Sequence, residues 1–203
     1  MLAAGRGLRF DPTAPKQLTP LSGEPLVAHA VRAAIRSGLA PVIVVISDER
    51  VAAALPDGVR VARNPAPEAG IASSLHAALD ALAGERDVDG AVIGLADQPL
   101  VGPDAYRRLA RAYDQGARLA VATYGGERAN PVLLAREHWD EARTLQGDEG
   151  ARVLFRSHGA VEVPCDGTGD PADVDTPADL AAIESRLREK AREKAWRSQT
   201  ASE

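Results

Sequence analysis

Two hydrophobic patterns alternate along the chain. Short, nearly continuous apolar runs occupy Pro41–Ser47, Gly90–Ala96, Leu119–Thr123 and Pro131–Leu134. Runs of this kind suit strands buried on both faces. Between them lie segments with helical spacing. Pro25–Ser37 carries Leu26, Ala30, Ala33 and Ala34 on one face, and Ile71–Leu82, Pro103–Tyr113 and Arg136–Leu145 follow the same period. Gly38 and Gly84 stand just past two of these segments, where a left-handed cap is expected. The alternation predicts an α/β fold: a mostly parallel sheet with helices on both faces, hence three layers.

The ends of the chain read differently. Met1–Gly5 resembles the end of a strand running into a glycine turn, so the first strand is either very short or continues upstream. Asp166–Ala172 is rich in Gly, Asp and Pro and predicts a loop. Thr176–Lys194 predicts a helix, with Thr176 as N-cap, Pro177 at the first helical position and Asp179 near the positive end. From Arg188 onward the apolar face is lost. The expected organisation is one domain over residues 1–187 and a charged, solvated tail over 188–203.

Composition narrows the function. Aromatic residues make up only 3% of the chain, so its core must be aliphatic. Acidic residues outnumber basic ones, 29 to 24, which argues against a nucleic-acid partner. A single cysteine, Cys165, closes no disulfide within the chain and makes no zinc site by itself. No apolar run approaches the ~20 residues of a membrane span, and no signal-peptide pattern opens the chain. The expectation is a cytoplasmic protein without a membrane partner.

The candidate chemistry begins at the N-terminal turn. Gly5 and Gly7 leave no Cβ in the way, so successive N–H groups can face phosphate oxygens. Arg9 and Lys16 add full charges nearby. Asp97 follows the apolar run Ala91–Leu95, at a strand end where open α/β folds bind ligands. A carboxylate there suits Mg²⁺, a hard ion that takes oxygen ligands. Asp173 and Asp175 are two residues apart near the predicted helix entry, and one of them, Asp175 by preference, is expected to reach a metal. Gly70–Ser74 opens a helix whose free N–H groups, with the Ser73 and Ser74 hydroxyls, suit phosphate, ribose or base, or else simple capping. His29, His76, His138 and His158 are scattered and show no metal-ligand spacing.

These segments, taken in order, resemble a known family. Leu2–Leu18 resembles the L-A-A-G-x-G-x-R…P-K signature of nucleotidyltransferases with the Rossmann-like glycosyltransferase-A fold. Leu21–Val27, Gly70–Leu79, Gly94–Val101, Asn130–Leu134, Gly147–Leu154 and Asp173–Leu180 resemble further family segments, so the likeness runs from about residue 2 to 185. The last two point to the molybdopterin branch, which contains molybdenum cofactor cytidylyltransferase and its guanylyl counterpart. The Arg-to-Lys spacing is two residues longer than usual there, and Asn130 stands where His is frequent. Both departures bear on the acceptor.

The resemblance implies a three-layer nucleotidyltransferase fold and transfer of CMP, or less favourably GMP, from a nucleoside triphosphate to the phosphate of molybdopterin. CTP is preferred because Leu2-Ala3-Ala4-Gly5 resembles the cytidylyl branch. Leu2, Ala3, Ala4, Gly5, Gly7, Arg9, Lys16, Gly70, Ser73 and Ser74 would bind the nucleotide, with Arg9, Lys16 and Asp97 catalytic. Asn130, Asp148 and Arg152 would face the acceptor, although a surface ion pair explains Arg152 equally well. Mg²⁺, with Mn²⁺ as a substitute, would sit on Asp97 with Asp175 or Asp173. A molybdoenzyme or its chaperone is the protein partner such a role implies. The alternatives are transfer to another phosphorylated small molecule, such as a methylerythritol or sugar phosphate, and a non-catalytic protein that binds nucleotide or cofactor.

Overall fold

The computed structural model of the protein describes residues 1–200 apart from 6, 8, 9, 11 and 12, and for 190, 191 and 193–200 the backbone alone. In chain order the strands are β1 (Pro20–Leu21), β2 (Glu24–Pro25), β3 (Ile43–Ile46), β4 (Arg60–Arg63), β5 (Gly90–Ile93), β6 (Leu119–Tyr124), β7 (Glu127–Ala135) and β8 (Val161–Pro164). The α-helices are α1 (Leu26–Arg36), α2 (Glu49–Ala52), α3 (Ile71–Leu82), α4 (Pro103–Asp114), α5 (Trp139–Ala142), α6 (Leu154–His158) and α7 (Pro177–Thr200). Short 3-10 turns at Lys16–Leu18, Pro67–Ala69, Arg136–His138 and Ala151–Val153 link them.

The alternation of side chains along β3 explains the three layers. Ile43 and Val45 pack with Leu75, Leu79 and Leu82 of α3 and with Trp139 of α5. Val44 and Ile46 face the other way, onto Val27 and Val31 of α1. Farther along the sheet, Tyr106 and Leu109 of α4 cover Ala120, Ala122 and Leu133. Both faces of β3 are therefore dry, which is why Ile43–Ile46 is apolar throughout.

The sheet is mixed, which corrects the expected mostly parallel arrangement. Its four-stranded part has the order β5-β7-β6-β8, with β7 antiparallel to both neighbours and β8 parallel to β6. β1 and β2 also pair antiparallel, while β3 and β4 pair parallel. The reversal arises at Gly125 and Gly126, with φ of +58° and +84°, which join β6 to β7. Two central residues at positive φ make the tight hairpin turn that matches strand twist, and that turn forces an antiparallel pair.

The first strand is one residue wide. Leu2 forms parallel bridges to Val45 on one side and to Leu95, just past β5, on the other. Its N–H donates to the Gly94 carbonyl at 2.9 Å, and its own carbonyl accepts from the Ala96 N–H at 3.0 Å. Leu2 thus joins β3 to the β5 side and delivers the glycine turn to the C-terminal ends of both strands. Gly38 takes the left-handed cap expected of it, at φ +80°, whereas Gly84 does not. The helix expected over Arg136–Leu145 is a 3-10 turn followed by the single-turn α5. At the start of α7, Asp179 Oδ2 accepts from the Thr176 N–H at 2.7 Å and Thr176 Oγ1 accepts from the Asp179 N–H at 3.3 Å, a reciprocal cap. α7 continues to Thr200, past the point where the sequence predicts its end. No helix among the described residues is long and apolar enough to cross a membrane.

Candidate active site

The glycine turn, the start of α3 and the segment after β5 converge at the C-terminal edge of the sheet. They enclose a cavity of about 710 Å³ lined by Leu2, Ala4, Gly5, Gly7, Lys16, Gln17, Pro67, Glu68, Gly70, Ile71, Ser74, Leu95, Ala96, Asp97, Asp148 and Asp175. A second cavity of about 310 Å³ adjoins it, sharing Leu2, Ile71, Leu95 and Asp148 and adding Asn130, Arg152 and Arg156 among its walls. The crevice lies where open α/β sheets place ligands, outside the carboxyl ends of the strands.

At the floor of the larger cavity a lysine joins two carboxylates that are distant in sequence. Lys16 is only 6% exposed. Its ammonium donates to Asp97 Oδ2 at 2.9 Å and to Asp175 Oδ1 at 3.0 Å. Burial pulls the Lys16 pKa down, but Asp97 and Asp175 outweigh burial and hold it above the ordinary lysine value. Lys16 is therefore a fixed cation at neutral pH. The other Asp97 oxygen, Oδ1, is buried and accepts no hydrogen bond. A buried, unpartnered carboxylate oxygen beside a second carboxylate is a donor set that a hard divalent ion satisfies. The residues present thus fit Mg²⁺ or Mn²⁺.

Asp173 lies beside this cluster, close enough to feel the charges of Asp97, Asp175 and Lys16. Val174, fully buried, anchors the segment by donating its N–H to the Asp97 carbonyl at 2.8 Å. Asp175 lines the cavity; Asp173 does not, and its Oδ1 accepts from Gln98 Nε2 at 2.9 Å. Partial desolvation first, and the nearby Asp97 charge second, raise the Asp173 pKa.

Two glycines shape the crevice. Gly7, at φ +58°, lies against Lys16: a Cβ there would stand 2.6 Å from the Lys16 Cβ. Gly70, at φ +86°, begins α3 and packs on the loop at Gly147, whose carbonyl oxygen a Cβ would approach to 2.2 Å. That carbonyl accepts from the Ala72 N–H at 3.1 Å, fastening the two cavities together.

Of the other nucleotide-side candidates, Ser74 lines the cavity, whereas Ala3 is buried in the core behind it. Ser73 is turned away and donates to the Gly70 carbonyl at 2.7 Å. Arg9 lies outside the described residues. On the other side, Asn130, Asp148 and Arg152 line one cavity together. Burial lowers the Arg152 pKa while Asp173 raises it.

Sequence reasoning missed three supporting side chains. Asn64, buried at the end of β4, donates from Nδ2 to Ser73 Oγ at 2.8 Å and to Ser74 Oγ at 3.0 Å. Gln17 donates to the Gly5 carbonyl at 2.6 Å and so fixes the turn. Arg156 extends the wall containing Arg152. Gln17 stands next to Lys16 in the turn signature, but its bond to Gly5 is not written there; Asn64 and Arg156 carry no local motif.

A single-residue first strand, a glycine turn at the sheet edge and a carboxylate pair beneath it define a nucleotide-binding α/β protein of the nucleotidyltransferase class. The chain belongs to the MobA-like NTP transferase domain family, whose pattern it matches over residues 1–163. It is 32% identical over 196 residues to molybdenum cofactor guanylyltransferase of Rhodobacter capsulatus, covering 94% of this chain and 96% of that protein. It is also 34% identical over 140 residues to bifunctional protein GlmU of Symbiobacterium thermophilum, but there it spans only 29% of the relative's length. Among solved structures, the homologue of Mycobacterium tuberculosis Rv0371c from Mycobacterium sp. strain JC1 superposes with a TM-score of 0.80 at 28% identity, over 93% of this chain and 95% of that one. The manganese complex of Rv0371c from Mycobacterium tuberculosis H37Rv gives 0.74 at 28% identity, over 91% and 95%. The protein is thus a nucleotidyltransferase of the MobA-like family.

Proposed function

We propose that the chain transfers CMP from CTP to the phosphate of molybdopterin, with release of pyrophosphate. The observation that carries this reading is the pair of adjoining cavities that meet at Leu2, Ile71, Leu95 and Asp148. The larger holds the Lys16–Asp97–Asp175 cluster and suits a nucleoside triphosphate; the smaller, with Asn130 and Arg152, suits a phosphorylated acceptor.

In this reading an acceptor phosphate oxygen attacks the α-phosphorus. A new P–O bond forms, the bond to the bridging oxygen breaks, and pyrophosphate leaves with the electron pair. The acceptor phosphate is already ionised at neutral pH, so no general base is needed. Asp97 and Asp175 would hold a divalent ion that neutralises charge on the triphosphate. Backbone amides at Gly5 and Gly7 would meet the phosphates, and Lys16 would release its carboxylates to meet the charge developing on the leaving group. Arg9 is assigned the same charge-neutralising role as Lys16 on the likeness of the turn. Asn64 holds Ser74 in place at the wall.

The choice of CTP rests on Ala4 in the turn, as in the cytidylyl branch. A second reading, transfer of GMP, is favoured by the full-length similarity to the Rhodobacter capsulatus guanylyltransferase. Pyrophosphate release with each of the four ribonucleotides, with and without molybdopterin, tests both. Release that needs molybdopterin and is fastest with CTP supports the first reading, and GTP preference supports the second. Release that ignores molybdopterin but responds to a sugar phosphate or methylerythritol phosphate overturns the acceptor assignment.

A further inference from the structure

Away from the crevice, on the outer side of α5 and α6, two histidines and a glutamate meet. His138 ends the 3-10 turn before α5, Glu141 lies one turn along in α5, and His158 is the last residue of α6. One ligand atom from each falls within 4.8 Å of the others. His158 Nε2 is 2.7 Å from Glu141 Oε2, and His138 Nδ1 is 4.0 Å from that same oxygen. The two imidazole rings stand 4.8 Å apart at their centroids. This corrects the expectation of scattered histidines for two of the four, His138 and His158.

We propose that His138, Glu141 and His158 form a second divalent-metal site, one that takes a borderline transition ion such as Zn²⁺ or Co²⁺. The donor set decides the class of ion. Two imidazoles and one carboxylate suit Zn²⁺, Co²⁺ or Ni²⁺, whereas the all-carboxylate cluster at Asp97 suits Mg²⁺ or Mn²⁺. Neighbouring ligands in a tetrahedral site stand roughly 3.3 Å apart, so the widest gap must close by roughly 1.5 Å. The side chains have room to do so: His158 and Glu141 are 39% and 43% exposed. The better buried His138, at 14%, supplies the fixed point, and solvent on the open side supplies the remaining ligand. Glu137 Oε1, 3.7 Å from His138 Nε2, adds negative charge next to the site.

An ion here would tie α5 to α6. α6 directly follows the Ala151–Val153 turn, which lines the smaller cavity together with Arg156 of α6 itself. The ion would therefore brace the wall of that cavity from outside, without touching anything bound in it.

Calorimetric titration of the full chain with Zn²⁺, in a large excess of Mg²⁺ that fills the carboxylate cluster, tests this directly. The expected result is one Zn²⁺ per chain. His158→Ala and Glu141→Gln should each weaken it at least about tenfold, with circular dichroism unchanged, and Asp97→Asn should leave it intact. Thermal melting should rise with Zn²⁺ for the parent and not for His158→Ala. No Zn²⁺ binding under excess Mg²⁺, equal binding by His158→Ala, or binding abolished by Asp97→Asn alone would each overturn the proposal.

Discussion

Lys16 is the internal countercharge of the carboxylate cluster, so its removal should change metal binding and catalysis in opposite directions. Lys16→Met keeps a long apolar stem in a position only 6% exposed and removes the ammonium that joins Asp97 and Asp175. Two unit charges about 4 Å apart interact by about 4 kcal/mol at an effective dielectric constant of about 20. The Asp97 and Asp175 side chains are 29% and 39% exposed, so solvent screens much of this. A net of about 1–2 kcal/mol remains, or about a 5- to 30-fold change in an equilibrium.

Without nucleotide, Lys16→Met should therefore bind Mn²⁺ about 5- to 30-fold more tightly than the parent, read from the free Mn²⁺ signal in electron paramagnetic resonance. Turnover should nevertheless fall by at least about a hundredfold, because the variant has no cation to meet the leaving phosphates. The alkaline limb gives a second check. A lysine with a raised folded-state pKa contributes stability that is complete below its ordinary value of about 10.4 and lost as pH rises through the raised one. The parent should thus lose more stability than Lys16→Met above about pH 10.4. Unchanged or weaker Mn²⁺ binding, together with near-parent turnover, would refute the reasoning and leave Lys16 as a structural strut.

Other expectations follow from the same geometry. Asp97→Asn keeps the shape of the side chain but removes its charge, so pyrophosphate release should fall at least about a hundredfold with little change in melting temperature. Gly70→Ala forces a Cβ to 2.2 Å from the Gly147 carbonyl at φ +86°. It should cost at least about 2 kcal/mol in urea denaturation, and a parent-like midpoint would show that the loop yields freely. The raised Asp173 pKa means the folded state holds that proton more tightly than the unfolded one, so stability declines as pH rises from about 4 through the raised value. Asp173→Asn, which retains an acceptor for Gln98, should then melt higher at neutral pH, with the advantage vanishing below about pH 4; a lower melting temperature at pH 7 would contradict this. Truncation after Lys190 removes residues beyond Leu180, Ile183 and Leu187, the α7 side chains that join the core. Melting and turnover of the shortened chain should match the parent, and a large loss in either would show that the removed segment docks.

How much of this was legible in the sequence depends on what each residue touches. Ile43–Ile46 announces a strand because both of its faces are buried, and no polar residue is tolerated on either. Arg60–Arg63 gives no such signal: both ends are exposed charges, and only Val61 and Ala62 between them pack on the core. The first half of β7, Glu127–Asn130, is equally wet, which is why only Pro131–Leu134 reads as a strand. Strand direction is a separate property. Apolar runs report burial and say nothing about polarity; the direction of β7 is written in Gly125-Gly126, a two-residue glycine turn between two β-rich runs.

The site divides along the same line. Gly7, Asp97 and Asp175 stand out because backbone approach and metal ligation demand a particular residue type within a recognisable local segment. Their assembly was not legible, since Lys16 meets Asp97 across 81 positions and Asp175 across 159. Those contacts exist because Leu2 inserts between β3 and the β5 side and because Val174 is buried against the Asp97 backbone. Asn64 shows the limit most clearly: it has no motif, yet one side-chain amide holds both serines at the start of α3. His138 and His158 show the same limit on the outer surface. Twenty positions apart, they become neighbours only after α5 and α6 have packed on Trp139, Leu154 and Phe155 of one shared core. Ligand spacing can be read from sequence where a regular element sets it, as for His138 and Glu141 one turn apart; where tertiary packing sets it, the sequence supplies the donors and the fold alone supplies the distance.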